Sequence, residues 1–148
     1  MGARRKGREL AVQALYQIEL TGESTAAALR LFFERADASA RAKEFAATLV
    51  DGVRAHQARL DDLITQASQN WRFERLSRVD LNVLRLAAYE LSQTPTVPTS
   101  VVIDEAIEIA RRFGTEESAE FVNGLLDQIA GQLGVKEAAR QRSVPGDG

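Results

Sequence analysis

Four cations crowd the first eight residues of the chain, Arg4, Arg5, Lys6 and Arg8, with no acid among them. Side chains of this type contact phosphate, and a planar guanidinium or an aromatic ring also stacks on an unpaired base. At 100° per residue on a helix, Arg8, Val12, Arg5 and Tyr16 fall within about a 100° arc. The spacing therefore sets basic groups beside an edge tyrosine, which suits single-stranded nucleic acid. The plainer reading is a solvated helix start with a half-buried tyrosine. Groups that could do covalent chemistry are scarcer. There is one histidine, His56, and no cysteine, so disulfides, thiolate sites and multi-histidine metal sites are excluded. Nothing near His56 suggests an orienting group for a nucleophile, and it reads as a helix-surface residue. Asp61-Asp62 and Asp104-Glu105 are adjacent carboxylates, but helical neighbours diverge by about 100°, which suits neither a shared proton nor a metal clamp. No glycine-rich phosphate loop is present. Binding thus ranks far ahead of catalysis: the expectation is no enzyme, no metal and no cofactor.

The elements that position these groups read as helices throughout. With 148 residues, 45% hydrophobic and 27% charged, the chain can bury one substantial core or two small bundles. No apolar run approaches the roughly 18 residues of a membrane span, and the basic start lacks the apolar segment of a signal peptide. A cytoplasmic protein is the expectation. Net charge is −2, so the whole molecule has no electrostatic pull toward a polyanion. Residues 98–134 hold seven acids (Asp104, Glu105, Glu108, Glu116, Glu117, Glu120 and Asp127) against Arg111 and Arg112. Contact with nucleic acid must begin at a local basic patch.

In chain order, the spacing predicts a first helix from about residue 4 to 20, stopping at Thr21-Gly22, with Ala11, Ala14, Leu15 and Ile18 as its buried stripe. Gly7 weakens its first turn, which is expected to fray. Ser24 caps a second helix to about Ala36 that carries Leu29, Leu31, Phe32 and Phe33. Ser39 caps the next. From Phe45 through Leu49, Val53, Leu60 and Ile64 the period runs to about Ser68, long enough that Gly52 or the His56 region should divide it. An aromatic lead-in (Trp71, Phe73) precedes Ser77, which with Asp80 forms a capping box. The helix that follows, with Val79, Val83, Leu84, Leu86, Ala87 and Leu91, is apolar over most of its circumference and must be a central post. Pro95 and Pro98 mark a loop, with Pro98 in the first turn of a helix that carries Val101, Val102, Ala106, Ile109 and Ala110 inward. Phe113-Gly114 ends it with a left-handed glycine cap. Thr115 starts a last helix with an acidic first turn, holding Phe121, Val122, Leu125, Leu126 and Ile129. About seven helices in two packed bundles result, an all-α fold. Residues 1–70 form an N-terminal bundle, 71–134 a C-terminal one, and 135–148 a mobile tail, with a seam near 68–76.

Three stretches in register resemble the NusB family of transcription antitermination factors. They are residues 3–17 (ARRKGRELAVQALYQ), 76–91 (LSRVD, then VLRLAAYEL) and 97–127 (VPT, IDEA, RFG, FVNGLLD). The resemblance covers about residues 3–130 and implies two helical bundles without catalytic activity. It implies binding of the single-stranded boxA element of ribosomal RNA leader transcripts together with the ribosomal protein NusE. The further partners it implies are RNA polymerase and other Nus factors, and some members of the family shelter the RNA surface in a homodimer. Position by position, Arg4, Arg5, Lys6 and Arg8 would contact phosphate and Gln13 a base edge. Phe113 and Phe121 would stack on bases, Asn123 would hydrogen-bond them, and Glu117 would take an exocyclic amino group. Tyr16 and Asp80 would face the NusE-like partner, which for Tyr16 competes with base stacking. Packing alone would also explain Phe121, and an internal hydrogen bond Asn123. Gly7 departs from an uninterrupted basic helix start. Some RNA methyltransferases carry a similar targeting domain; with no cofactor-binding α/β segment among these 148 residues, that alternative expects the chain to be a fragment of a longer protein.

Overall fold

The computed structural model describes residues 2–68 and 76–135, and among these residues the secondary structure is helical, without strands. The helices are α1 (Ala3–Thr21), α2 (Thr25–Arg35), α3 (Ala40–Ala55), α4 (Gln57–Ala67), α5 (Arg78–Gln93), α6 (Thr99–Phe113) and α7 (Glu116–Leu133). The aromatic lead-in at Trp71 and Phe73 and the tail from Lys136 lie outside the described residues. By internal contacts the chain divides into residues 1–57 and 58–148. The seam expected at 68–76 falls largely on residues outside the description.

Local chemistry sets the helix ends. Ser24, Ser39 and Thr115 each accept a hydrogen bond from the backbone N–H three residues on, at 3.2, 3.1 and 3.0 Å. Each bond satisfies one of the N–H groups that a helix start leaves open. Gly22 and Gly134 end α1 and α7 in the left-handed region, at φ 71° and 76°. The long apolar pattern divides at His56, whose Nδ1 lies 2.9 Å from the Gly52 carbonyl oxygen. Pro98 stands at the N-cap of α6 rather than inside its first turn.

In the first unit, α1 packs chiefly on α3, and α2 lies against both. Its core includes Leu10, Ala11, Leu15 and Ile18 of α1 with Ala46, Leu49, Val50 and Val53 of α3. Gly7 is not the weak point expected of it. It is buried in continuous helix, and a Cβ there would sit 2.7 Å from Phe45 Cδ2 and 3.0 Å from the Ala42 carbonyl oxygen. The missing side chain lets α3 approach. Val12, placed by spacing beside the buried stripe, belongs to the core, and Leu31, one of the apolar members of α2, is exposed.

In the second unit, α5 packs on both α6 and α7, which pair with each other. Leu81, Val83, Leu84, Leu86, Ala87, Ala88 and Leu91 are all buried, so α5 is the central post its composition requires. A fork of hydrogen bonds ties it to α4: Arg85 Nε donates to Asp61 Oδ1 at 2.7 Å and Nη2 to Oδ2 at 3.0 Å. Of the adjacent carboxylates Asp61-Asp62, Asp61 is thus engaged by Arg85, and Asp62 is exposed. Val101, expected inward, is 42% exposed. Gly114 has φ −117°, so it is no left-handed cap. Its role is steric, since a Cβ would meet Ser118 Oγ at 2.7 Å and the Ala110 carbonyl oxygen at 2.8 Å.

Only half of the expected capping box forms. The Asp80 N–H donates to Ser77 Oγ at 3.0 Å, but the Asp80 carboxylate turns to Ser118, whose Oγ donates to Oδ2 at 3.2 Å. Ser77→Ala should accordingly cost about 1 kcal/mol, read as a lower midpoint in urea with an unchanged slope; an unchanged midpoint would contradict the cap.

Candidate nucleic-acid interface

The cations of α1 occupy its opening turns, at the positive end of the helix dipole, with no acid in the first turn. That arrangement disfavours the isolated helix and is relieved by a bound anion. Arg4 is exposed, and Arg5 and Lys6 are half-buried. Arg8 does not join them at the surface. It is 4% exposed, with its guanidinium carbon 5.6 Å from the centre of the Phe45 ring. Arg4 approaches the same ring at 5.8 Å. The edge arc expected from spacing thus loses both Arg8 and Val12 to the interior and keeps Arg5 with the half-buried Tyr16.

Gln13 is exposed on a different side of α1. With Lys6 it lines a cleft of about 620 Å³ between α1 and α2, which Gln17, Phe32 and Arg35 also line. The cleft offers two cations, two amides and a ring, the donors and stacking surface that a nucleotide uses. Glu23 and Asp37 also line it. Phe32 and Phe33, adjacent in sequence, meet edge to face at 5.5 Å.

In the second unit, Phe113 ends α6 half-buried, and the Arg112 guanidinium lies 5.5 Å from its ring centre. Arg111 is held by Glu116 on α7 and Glu108 on α6. The Glu116 hydrogen bond and charge, then Glu108, raise its pKa above the usual arginine value. Glu117 is exposed and Phe121, one turn on, is half-buried, so both project from one side of α7. Asn123 is exposed too, but two residues along a continuous helix turn it about 160° from Phe121. The side chains of Phe121 and Asn123 do not share a face.

Asp80, expected at a partner surface, is buried at 8% exposure. Thr115 Oγ1 donates to Ser118 Oγ at 3.2 Å, and Ser118 Oγ donates on to Asp80 Oδ2. A hydroxyl relay thus ties the start of α7 to the first turn of α5, while Asp80 Oδ1 has no hydrogen-bond partner among the described residues. Sequence reading missed Arg112 as a cation beside a ring and Arg35 as a cation lining the cleft, and took Phe45 for core alone. A stacked arginine has no local signature, because the ring arrives from another helix or from the end of its own.

Among the described residues no three His, Asp or Glu side chains gather as a metal site, and no helix is long and apolar enough to cross a membrane. Cations at a helix start, guanidiniums near rings and half-buried phenylalanines on a helical scaffold offer the phosphate contacts and stacking surfaces that single-stranded RNA uses. The NusB family profile matches residues 5–131. The transcription antitermination protein NusB of Myxococcus xanthus is 50% identical over 134 residues, 88% of this chain and 96% of that protein. Its counterpart from Sorangium cellulosum is 47% identical, with 90% and 96% covered. Among solved structures, T. maritima NusB matches with a TM-score of 0.79 at 43% identity, covering 90% of this chain and 94% of that one. A chain from the crystal structure of antitermination factors NusB and NusE in complex with dsRNA matches with a TM-score of 0.80 at 27% identity, covering 89% and 98%. The chain belongs to the NusB family.

Proposed function

We propose that the protein is a transcription antitermination factor that binds boxA-type single-stranded RNA in ribosomal RNA leader transcripts together with NusE. In that complex it helps RNA polymerase, with other Nus factors, avoid premature termination in the cytoplasm. The observation that carries this reading is the cation cluster Arg4, Arg5 and Lys6 on the opening turns of α1, where helix dipole and side chains act in the same direction on an anion. Relatives named as antitermination proteins, and a structural neighbour crystallised with NusE and RNA, support it.

Arg4, Arg5 and Lys6 contact phosphates, and Gln13 a base edge in the cleft. Phe113 and Phe121 stack on bases, and Glu117 accepts from an exocyclic amino group. Arg8 adds charge from within rather than a surface contact. Asn123, turned away from Phe121, serves a separate contact from the stacked bases. Tyr16 and Asp80 belong to the surface that faces NusE, Asp80 through the small part of it that stays exposed. A few phosphate contacts give weak, salt-sensitive binding, with log K falling by about 0.7 per contact per log unit of salt on single strands. A partner that binds the same strand raises affinity without new contacts from this chain.

The test is a titration with boxA and scrambled RNA, with and without purified NusE. Tight binding to boxA alone, and only with NusE present, is expected. Equal binding to both RNAs in the presence of NusE would overturn the reading.

A further inference from the structure

Arg4, Gly7 and Arg8 lie at i, i+3 and i+4, on one face of α1. Phe45, half-buried on α3, meets all three positions: its ring centre is 5.8 Å from the Arg4 guanidinium carbon and 5.6 Å from that of Arg8. Its Cδ2 would lie 2.7 Å from any Cβ at position 7. Both cations are within the roughly 6 Å at which the negative face of a ring attracts a guanidinium. Glycine is what admits the ring so close, because a methyl there would also press on the Ala42 carbonyl oxygen at 3.0 Å.

A guanidinium held near a ring face by cation–π attraction carries five N–H donors and does not spend them on the ring, so one group can be held by the ring and still bond a phosphate. Long cationic side chains otherwise lose rotamer freedom on binding, and a platform that orders them beforehand reduces that loss. We propose that Phe45 is a positioning residue for RNA binding: its ring, admitted by Gly7, holds Arg4 in the orientation that receives phosphate, with Arg8 seated on the same ring. This role rests on the RNA-binding reading above and extends it to a residue that touches no RNA itself.

The test uses the full chain with NusE and boxA RNA. Phe45→Leu keeps apolar bulk and removes the ring, and should weaken RNA binding about fivefold while leaving NusE affinity unchanged. Phe45→Tyr, which keeps the ring, should bind within about twofold of the parent. On an Arg4→Gln background, Phe45→Leu should cost much less than alone, because the ring acts through Arg4. Equal losses in both backgrounds, or none in either, overturn the role and leave the function standing. Absence of boxA binding by the unmodified protein overturns the function itself. In free unmodified protein, nitrogen-15 NMR should find the Arg4 and Arg8 Hε signals shifted upfield by the ring. Unshifted signals overturn the stacking whether or not the Leu variant folds.

Discussion

Replacing Arg4, Arg5 and Lys6 together by glutamine is expected to make the salt dependence of RNA binding shallower by about 2 units of log K per log unit of salt. Each phosphate contact on a single strand releases counterion, so three lost contacts flatten the line by a predictable amount, whatever the RNA sequence. At low salt the variant should bind far more weakly than the parent, and the two should converge as salt rises. Unfolding would not mimic this result. Those cations sit on the opening turns of α1 without an acid in the first turn, where the helix dipole repels them. Relief of that repulsion and loss of the Arg4 contact with the Phe45 ring oppose each other, so the triple variant should remain folded at the temperature of the binding assay. An unchanged slope, measured from about 50 to 200 mM salt, would remove α1 from the RNA surface. Arg8, seated on Phe45 and buried, is deliberately outside this set: neutralising it would confuse packing with phosphate contact.

Asp61→Ala should destabilise the protein by about 3 kcal/mol, at the low end of what is measured when one partner of a buried ion pair is removed. The low end follows from geometry. The Arg85 side chain is 8% exposed, but that of Asp61 is 27% exposed, so water already reaches the carboxylate. Arg85 loses both prongs of its fork, the 2.7 and 3.0 Å bonds. What remains includes the 3.3 Å contact from Nη1 to Asn82 Oδ1, and Asn82 is itself committed through Nδ2 to the Arg78 carbonyl at 2.8 Å. At this chain length the melting temperature should fall by roughly 10 °C. The double change Asp61→Leu with Arg85→Met should recover most of the loss, since apolar replacements of a buried pair are often neutral or better. Urea unfolding of the two single variants and the double measures the coupling. A loss below about 1 kcal/mol for Asp61→Ala would mark the pair as an ordinary surface bridge.

Much of the protein was legible in residue order because its rules operate within one or two helical turns. Ser24, Ser39 and Thr115 each bond a backbone N–H three residues on, and Gly22 and Gly134 take the left-handed turn that stops a helix. The apolar density of 79–91 required a surrounded helix, and α5 is that helix. Charge counting along the chain likewise located the cations at its start.

Tertiary structure alone decided what each of those residues faces. Arg8 and Val12 share an arc with Arg5 and Tyr16, yet the arc is split because both are buried. Gly7 looked like a flaw in a helix and proved to be the space into which Phe45 fits; Gly114 looked like a left-handed cap and instead keeps clear of Ser118. Asp61 and Arg85 are 24 residues apart, and Asp80 and Ser118 are 38 apart. Periodicity fixes the angle of a side chain about its own axis, because that angle follows from backbone hydrogen bonds within four residues. It carries no information on which second helix arrives at that angle, or how closely. Both depend on how side chains of distant segments fill shared volume, and that is settled only when the chain packs.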